Sequence, residues 1–421
     1  MPEELNSSLR EAIILDLIEL TKAKYVYPDL GEKIAHVIQA KLDQGEYNHI
    51  LDPSELATCL TSDLRQVSED RHWSVIYNPH KSAELVDPEK EIDEKQLALW
   101  LAQSRRNNFG FTRLELLSGN IGYIELREFA PSEYAGEIAV SAMNFVANCD
   151  ALILDLRQNH GGYPSMVQLI TSYLVKPEPV HINSFYYRPT GEIQQFWTFP
   201  HVPGKRMPDI PVYVLTSRET GSGAEEFAYN LKNMQRATII GETTVGAAHP
   251  VTIEIVQENF QVNLPYGRPI NPITNENWEG KGVEPDICVP QEESLSEAHL
   301  LAFKRLLEKC EDENWKNELE WELEIINSSY FPAQVDMSNL TKLSGRYGKR
   351  SFTVREGKLM YKHIDSPCEW PLTPISATRF RLDHDVKFAF LMNNLDDPIS
   401  VEIFYKDGRP NVTAKRTLSD E

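Results

Sequence analysis

Cysteine is scarce in this chain: 5 of 421 residues, with no C-x-x-C pair among them. Cys59, Cys149, Cys288, Cys310 and Cys368 are odd in number and widely spread. That argues against a disulfide framework or a zinc ribbon and fits a reducing compartment. Long apolar runs are missing as well, since no stretch reaches the ~18 residues of a membrane-spanning helix. The opening "MPEELNSSLREAIILDLIEL" begins acidic, and its apolar residues have helical spacing, so it does not read as a signal peptide. The expectation is a cytoplasmic protein without a membrane partner, unless a leader was removed ahead of the numbering. Positive charge is in deficit: 42 Lys and Arg against 63 Asp and Glu give a formal charge of −21. A nucleic-acid partner is therefore not expected. There is no Walker loop, no G-x-G-x-x-G and no internal repeat.

What is present is unevenly distributed. Residues 330–421 carry 14 basic and 12 acidic side chains, leaving 28 against 51 in residues 1–329. Surfaces so different place a domain boundary near 330, and the length suits two or three domains. Residues 1–67 read as helical. "LREAIILDLIELTKAKY" sets Leu9, Ile13, Leu17 and Leu20 on one stripe, and "DPSELATCLTSDL" opens with Asp52 as N-cap and Pro53 at the first helical position. "HWSVIYNP" and "FTRLELLSGNIGYIELREF" then alternate as strands do, the latter with a turn at Gly119-Asn120. From 136 the pattern is helix "GEIAVSAMNFVANC", buried strand "DALILDLR", helix "PSMVQLITSYLV", strand "HINSFYYRP", buried strand "PVYVLTS", a helix after Ser222 and strand "ATIIGE". Apolar strands alternating with amphipathic helices predict an α/β core over about 111–290. Two acidic helical stretches fill 291–327, and the last ninety residues read as a small antiparallel β-domain.

Four stretches bear chemistry-capable residues, and each has an ordinary structural reading beside the functional one. "LDLRQNHGGYPS" puts Gly161-Gly162 between a buried strand and a helix, either as a plain turn or as a backbone N–H site for an anion. "TGSGAEEF" offers Ser222 as a helix N-cap or as a nucleophile with the Gly223 N–H behind it, although the G-x-S-x-G signature is absent. "EDRHWSVIY" holds His72, and "TNENWEGKGVEPDI" holds Glu279 in a glycine-containing loop. A serine hydroxyl needs a base, and no histidine or lysine lies within nine residues of Ser222.

Together these segments resemble the serine peptidases that include the C-terminal processing proteases and the tricorn core protease. The likeness is nearest to the branch without a PDZ insert, which includes the repeats of interphotoreceptor retinoid-binding protein. It is carried by "DRHWSVIY", "GNIGYIELREF", "DALILDLRQNHGG", "PVYVLTSRETGSGAEEFAYNLK", "ATIIGETTVGAAHP" and "GRPINPITNENWEGKGVEPDI", in family order over about 70–290. The loop around 78–110 stands where a PDZ domain would be. The resemblance implies a crotonase/ClpP-like spiral α/β core, with an N-terminal helical domain over 1–70, a catalytic domain over 71–328 and a C-terminal β-sandwich or barrel-like domain over 329–421. It implies a peptide or protein substrate and no metal or organic cofactor, and it leaves room for a homo-oligomer.

In the processing proteases a lysine 25 residues after the serine is the base; here that position is Ala247. The tricorn-like pattern instead implies His72 as general acid/base and Glu279 as the group that orients it, with Ser222 as nucleophile. Gly223, Gly161 and Gly162 are then the implied oxyanion-hole glycines. In that pattern a serine precedes the histidine and links it to the glutamate. Arg71 stands in its place, so Glu279 contacts His72 directly or Ser74 or Asp70 substitutes. Gly221 replaces a larger residue beside the nucleophile and widens the pocket there. The expected activity is hydrolysis of peptide bonds through an acyl-enzyme. The alternatives are an apolar-ligand-binding protein on the same scaffold and a crotonase-like or acyl-transferring biosynthetic enzyme.

Overall fold

A computed structural model describes residues 5–78, 94–257 and 259–417. The chain forms two compact units, one of residues 1–116 and 121–295, the other of residues 117–120 and 296–421. The architecture is mixed α/β.

In the first unit, three helices lead: Ser7–Lys24, Pro28–Asp43 and Pro53–Ser68. Asn6 caps the first by accepting from the Leu9 N–H (2.8 Å), and Asp52 caps the third through the Glu55 N–H (2.8 Å). The buried stripe of the first helix is Ile13, Ile14, Leu17 and Ile18, one position round from the stripe expected, with Leu9 and Leu20 at its edge. These helices do not end their own domain at residue 70. Leu17, Ile34 and Leu60 share one core with Trp73, Phe260 and Val262. Strand Ser74–Tyr77 pairs antiparallel with Phe260–Pro265, which pairs with Val251–Val256.

A six-stranded sheet forms the rest of the core, in spatial order Ile287–Cys288, Thr238–Gly241, Val212–Thr216, Ala151–Asp155, Ile121–Leu126 and Phe111–Leu117. Every residue of Ala151–Asp155 and Val212–Thr216 is buried. Parallel strands covered on both faces need such continuous apolar runs. Helices Ser132–Phe145, Pro164–Leu174 and Gly223–Asn233 supply Met143, Val167 and Phe227 to the core beside Leu154 and Val214. The first of these starts at Ser132, four residues before the expected "GEIAV" segment, because Pro131 precedes it as N-cap. Within the loop expected at 78–110, Glu94–Arg106 is a helix; residues 79–93 lie outside the described residues.

In the second unit, residues 117–120 form a turn with Gly119 at φ +79° and Asn120 at φ +57°. A Cβ at Gly119 would lie 2.5 Å from the Phe303 ring, which is why this turn belongs with helix Gln291–Lys309. The division between the two units falls at 295/296, within helix Gln291–Lys309, so that most of this helix and all of Glu313–Tyr330 belong to the second unit. Nine strands between Gly345 and Thr417 pair antiparallel around Phe352, Phe388 and Phe390.

Candidate functional site

The strand Val212–Thr216 runs into a tight turn before helix Gly223–Asn233. The Thr220 hydroxyl donates to the Leu156 carbonyl (2.8 Å), and the Gly221 N–H donates to the Asn159 carbonyl (3.0 Å), so this turn is bound to the one after Ala151–Asp155. Ser222 is the N-cap residue with φ 52° and ψ −120°, a conformation that costs a non-glycine residue energy and persists only when its surroundings enforce it. A strained strand–turn–helix bend of this kind is the backbone geometry that a nucleophile elbow uses, here formed without the G-x-S-x-G signature. Enforcement comes from Glu225, which is fully buried. Its carboxylate accepts the Ser222 N–H (2.8 Å), the Gly246 N–H (2.6 Å), the Ala247 N–H (2.9 Å) and the Thr244 hydroxyl.

Gly161 (φ +113°) and Gly162 (φ +133°) lie directly against Ser222 and Gly223. A Cβ on Gly161 would be 2.6 Å from the Ser222 Cβ, and one on Gly223 would be 2.8 Å from the Gly162 carbonyl oxygen. Of the expected trio, the Gly161 N–H donates to the Asn159 side chain (2.8 Å). Among the described residues, no acceptor faces the N–H of Gly162 or of Gly223.

His72 follows a helix end. Glu69 closes helix Pro53–Ser68 in the left-handed conformation, Asp70 turns inward and the His72 N–H donates to its carboxylate (3.0 Å). Trp73, fully buried and stacked on Tyr25 (5.3 Å), fixes the start of the next strand. The His72 Nδ1 lies 3.9 Å from Asp70 and 4.0 Å from Glu279, buried and without a hydrogen bond. The His72 side chain is 18% exposed, and no hydrogen bond to its Nε2 is seen among the described residues. Of the two substitutes for a linking serine, Asp70 is adjacent. The Ser74 hydroxyl accepts from the Asn263 side chain (2.8 Å) across the strand pair.

A second histidine, which no sequence signal singled out, completes the cluster. His249 is buried, and its Nδ1 lies 2.7 Å from Asp70 and 3.5 Å from Glu279. The Glu279 carboxylate accepts the N–H groups of Ala248 (2.6 Å) and His249 (3.2 Å). Four successive N–H groups, 246 to 249, are thus shared between two carboxylates: the first pair goes to Glu225 below Ser222, the second to Glu279 beside His72. This peptide physically joins the two halves of the site, and Ala247, where the related pattern has lysine, is inside it. No hydrogen bond connects Ser222 to His72 among the described residues.

Burial sets the titration here. It pushes the His72 imidazole down to about 4, against the opposing pull of Asp70, so the ring is neutral at pH 7. It raises the Glu279 carboxyl, and the negative Asp70 raises it further. Beside this cluster opens a cavity of about 330 Å³ that includes Tyr27, His249, Arg268 and Glu279. Arg268 packs over the rings of Tyr27 (5.6 Å) and Tyr186 (5.9 Å) and has no carboxylate partner among the described residues. Arg157, by contrast, is a structural ion-pair partner, held by Asp155 (2.6 Å) and the Gln291 carbonyl.

The model of peptidase family S41 matches residues 120–289, and that of the N-terminal domain of this family in eukaryotic IRBP matches residues 5–107. The carboxy-terminal processing protease CtpB of Bacillus subtilis (strain 168) is 26% identical over 180 residues, 42% of this chain and 35% of that protein. A carboxyl-terminal-processing protease of Synechocystis sp. is 32% identical over 128 residues, 30% of this chain and 28% of that protein. The chain therefore spans about a third of the length of these curated relatives. The solved tricorn protease is similar over 77% of this chain and 37% of its own, at 14% identity and a TM-score of 0.43. No helix among the described residues is long and apolar enough to cross a membrane.

Proposed function

Because the chain belongs to peptidase family S41, we propose that it is a serine peptidase with a crotonase-like spiral core, whose nucleophile is Ser222, general acid/base His72 and orienting carboxylate Glu279, with Asp70 beside it. The neutral His72 takes the Ser222 proton on Nε2 as the hydroxyl attacks the scissile carbonyl. The resulting imidazolium is stabilised by the Asp70 and Glu279 carboxylates on its Nδ1 side. The N–H groups of Gly162 and Gly223 hold the developing oxyanion, each such donor being worth ~10²–10³ in rate. His72 then returns the proton to the leaving amine, and water hydrolyses the acyl-enzyme by the reverse route. The distance from Ser222 to His72 closes in the substrate complex, as catalytic hydrogen bonds commonly do.

The observation that carries this reading is the strained Ser222 backbone, held by Glu225 and packed against two N–H groups with no acceptor. A protein that only bound apolar ligands would have no use for that strain. Substrate is read from Arg268: a guanidinium lacking a carboxylate, in the cavity beside Glu279, suits the α-carboxylate of a peptide. A fluorophosphonate probe tests the mechanism. It should label the wild type and neither Ser222→Ala nor, at comparable rate, His72→Ala. Equal labelling of wild type and Ser222→Ala would sink the proposal, and full activity in His72→Ala would reassign the base.

A further inference from the structure

Four nitrogen and oxygen donors converge from three separate segments: Asp70 and His72, His249, and Glu279. From the His249 Nδ1, Asp70 lies at 2.7 Å and Glu279 at 3.5 Å; from the His72 Nδ1, the same two carboxylates lie at 3.9 Å and 4.0 Å. Tetrahedral zinc with ligand bonds of ~2.0–2.2 Å places its donors roughly 3.3–3.5 Å apart. Asp70, His249 and Glu279 stand at metal-binding spacing as they are, and the His72 Nδ1, 3.9 and 4.0 Å from the two carboxylates, would move inward to become the fourth ligand.

A second observation points the same way. The His72 Nδ1 and the Glu279 Oε1 are buried polar atoms with no hydrogen-bond partner. An unpaired buried polar group is costly, and a bound cation is one of the ways to satisfy it. Nor does any Lys or Arg among the described residues form an ion pair with Asp70 or Glu279. Two carboxylates thus face two imidazoles with no fixed positive charge between them. The three groups Asp70, His249 and Glu279 alone meet the spacing of a metal-binding set. Imidazole and carboxylate donors without a thiolate suit a borderline divalent ion of the zinc type.

We propose that Asp70, His72, His249 and Glu279 bind one zinc ion, and that this ion switches the centre off. The chemistry of the ring gives the consequence. Without the ion, the His72 proton sits on Nδ1, facing the carboxylates, and the Nε2 lone pair is free for the Ser222 proton. Zinc on the Nδ1 lone pair requires the other tautomer of the neutral ring: its one proton moves from Nδ1 to Nε2, which then has no lone pair to accept another. Inhibition rests on the peptidase reading above; the binding of zinc does not.

The test uses the full chain without an affinity tag, stripped with EDTA and desalted. Zinc is then titrated against a fluorescent zinc chelator, and fluorophosphonate labelling is followed in parallel. The expected result is one ion per chain, bound at least ten-fold more weakly by His249→Ala and by Glu279→Gln, with labelling blocked by zinc and restored by EDTA. Two variants from different segments are used so that one failing to fold, judged by circular dichroism, leaves the other. The absence of stoichiometric zinc, or wild-type affinity in both folded variants, would overturn the site. Stoichiometric, ligand-dependent zinc binding in a chain that never labels supports the site and counts against the peptidase reading alone. Labelling unaffected by saturating zinc would overturn the switch.

Discussion

Replacing Glu225 by Gln removes one charge and one acceptor from the point where the Ser222 turn is tied down. The carboxylate receives four donors: the Ser222 and Ala247 N–H groups on one oxygen, the Gly246 N–H and the Thr244 hydroxyl on the other. A glutamine keeps two of these on its carbonyl oxygen. Its NH2 is best placed toward Thr244 and Gly246, since a hydroxyl can reverse and accept, whereas a peptide N–H cannot. One buried N–H, that of Gly246, is then orphaned at roughly 1–3 kcal/mol, and the remaining bonds lose the strengthening of an ionised acceptor. Against this, burial disfavours the carboxylate and raises its pKa, so the neutral amide recovers part of the loss. The net cost is about 2–4 kcal/mol, a fall of roughly 3–7 °C in Tm for a unit of this size. Labelling of Ser222 by a fluorophosphonate should slow about ten-fold or more, because the strained φ of 52° loses its tether. Calorimetry and timed labelling decide it together. An E225Q protein with unchanged Tm and wild-type labelling would show that neither the strap nor the strain matters.

Two further outcomes follow from the same cluster. His72 is held neutral by burial: the unfolded chain takes its proton near 6.5, the native one only at about 4. Its stabilisation is therefore complete above pH 6.5 and lost as pH falls toward 4, by about 3 kcal/mol at ~1.4 kcal/mol per unit. Glu279, raised above 4.5, acts with the opposite sign, its contribution lost as pH rises through its native value. Urea midpoints of wild type and His72→Gln across pH 4–7 separate the two: the wild-type midpoint should drop more steeply on acidification, and parallel curves would refute the assignment. Arg268→Met keeps the stacking length over Tyr27 and Tyr186 but removes the charge. KM for peptides with a free C-terminus should rise about ten-fold or more while C-terminally amidated peptides are unaffected. An equal effect on both would remove Arg268 from substrate binding.

Much of this was legible because it is local. Buried parallel strands announce themselves as apolar runs, as "DALILD" and "PVYVLT" do, and helices by caps such as Asp52. The paired glycines, the serine between two others, and the late glutamate stand in recognisable order. The unit boundary was not legible: it depends on a glycine turn at 119 meeting Phe303, 184 residues on, and charge counting near 330 cannot register that contact. His249 was hidden for a related reason. Nothing in "VGAAHP" distinguishes a buried ligand of Asp70 from a solvent-facing histidine, since the partner lies 179 residues upstream. Yet it stands only two residues beyond Ala247, the position whose missing lysine had defined the problem. A chain that lacks that lysine still spends the Ala247 N–H on holding the nucleophile turn. The next two N–H groups go to the carboxylate beside His72. On the reading proposed here, this segment contributes through its backbone, and the base comes from elsewhere in the chain.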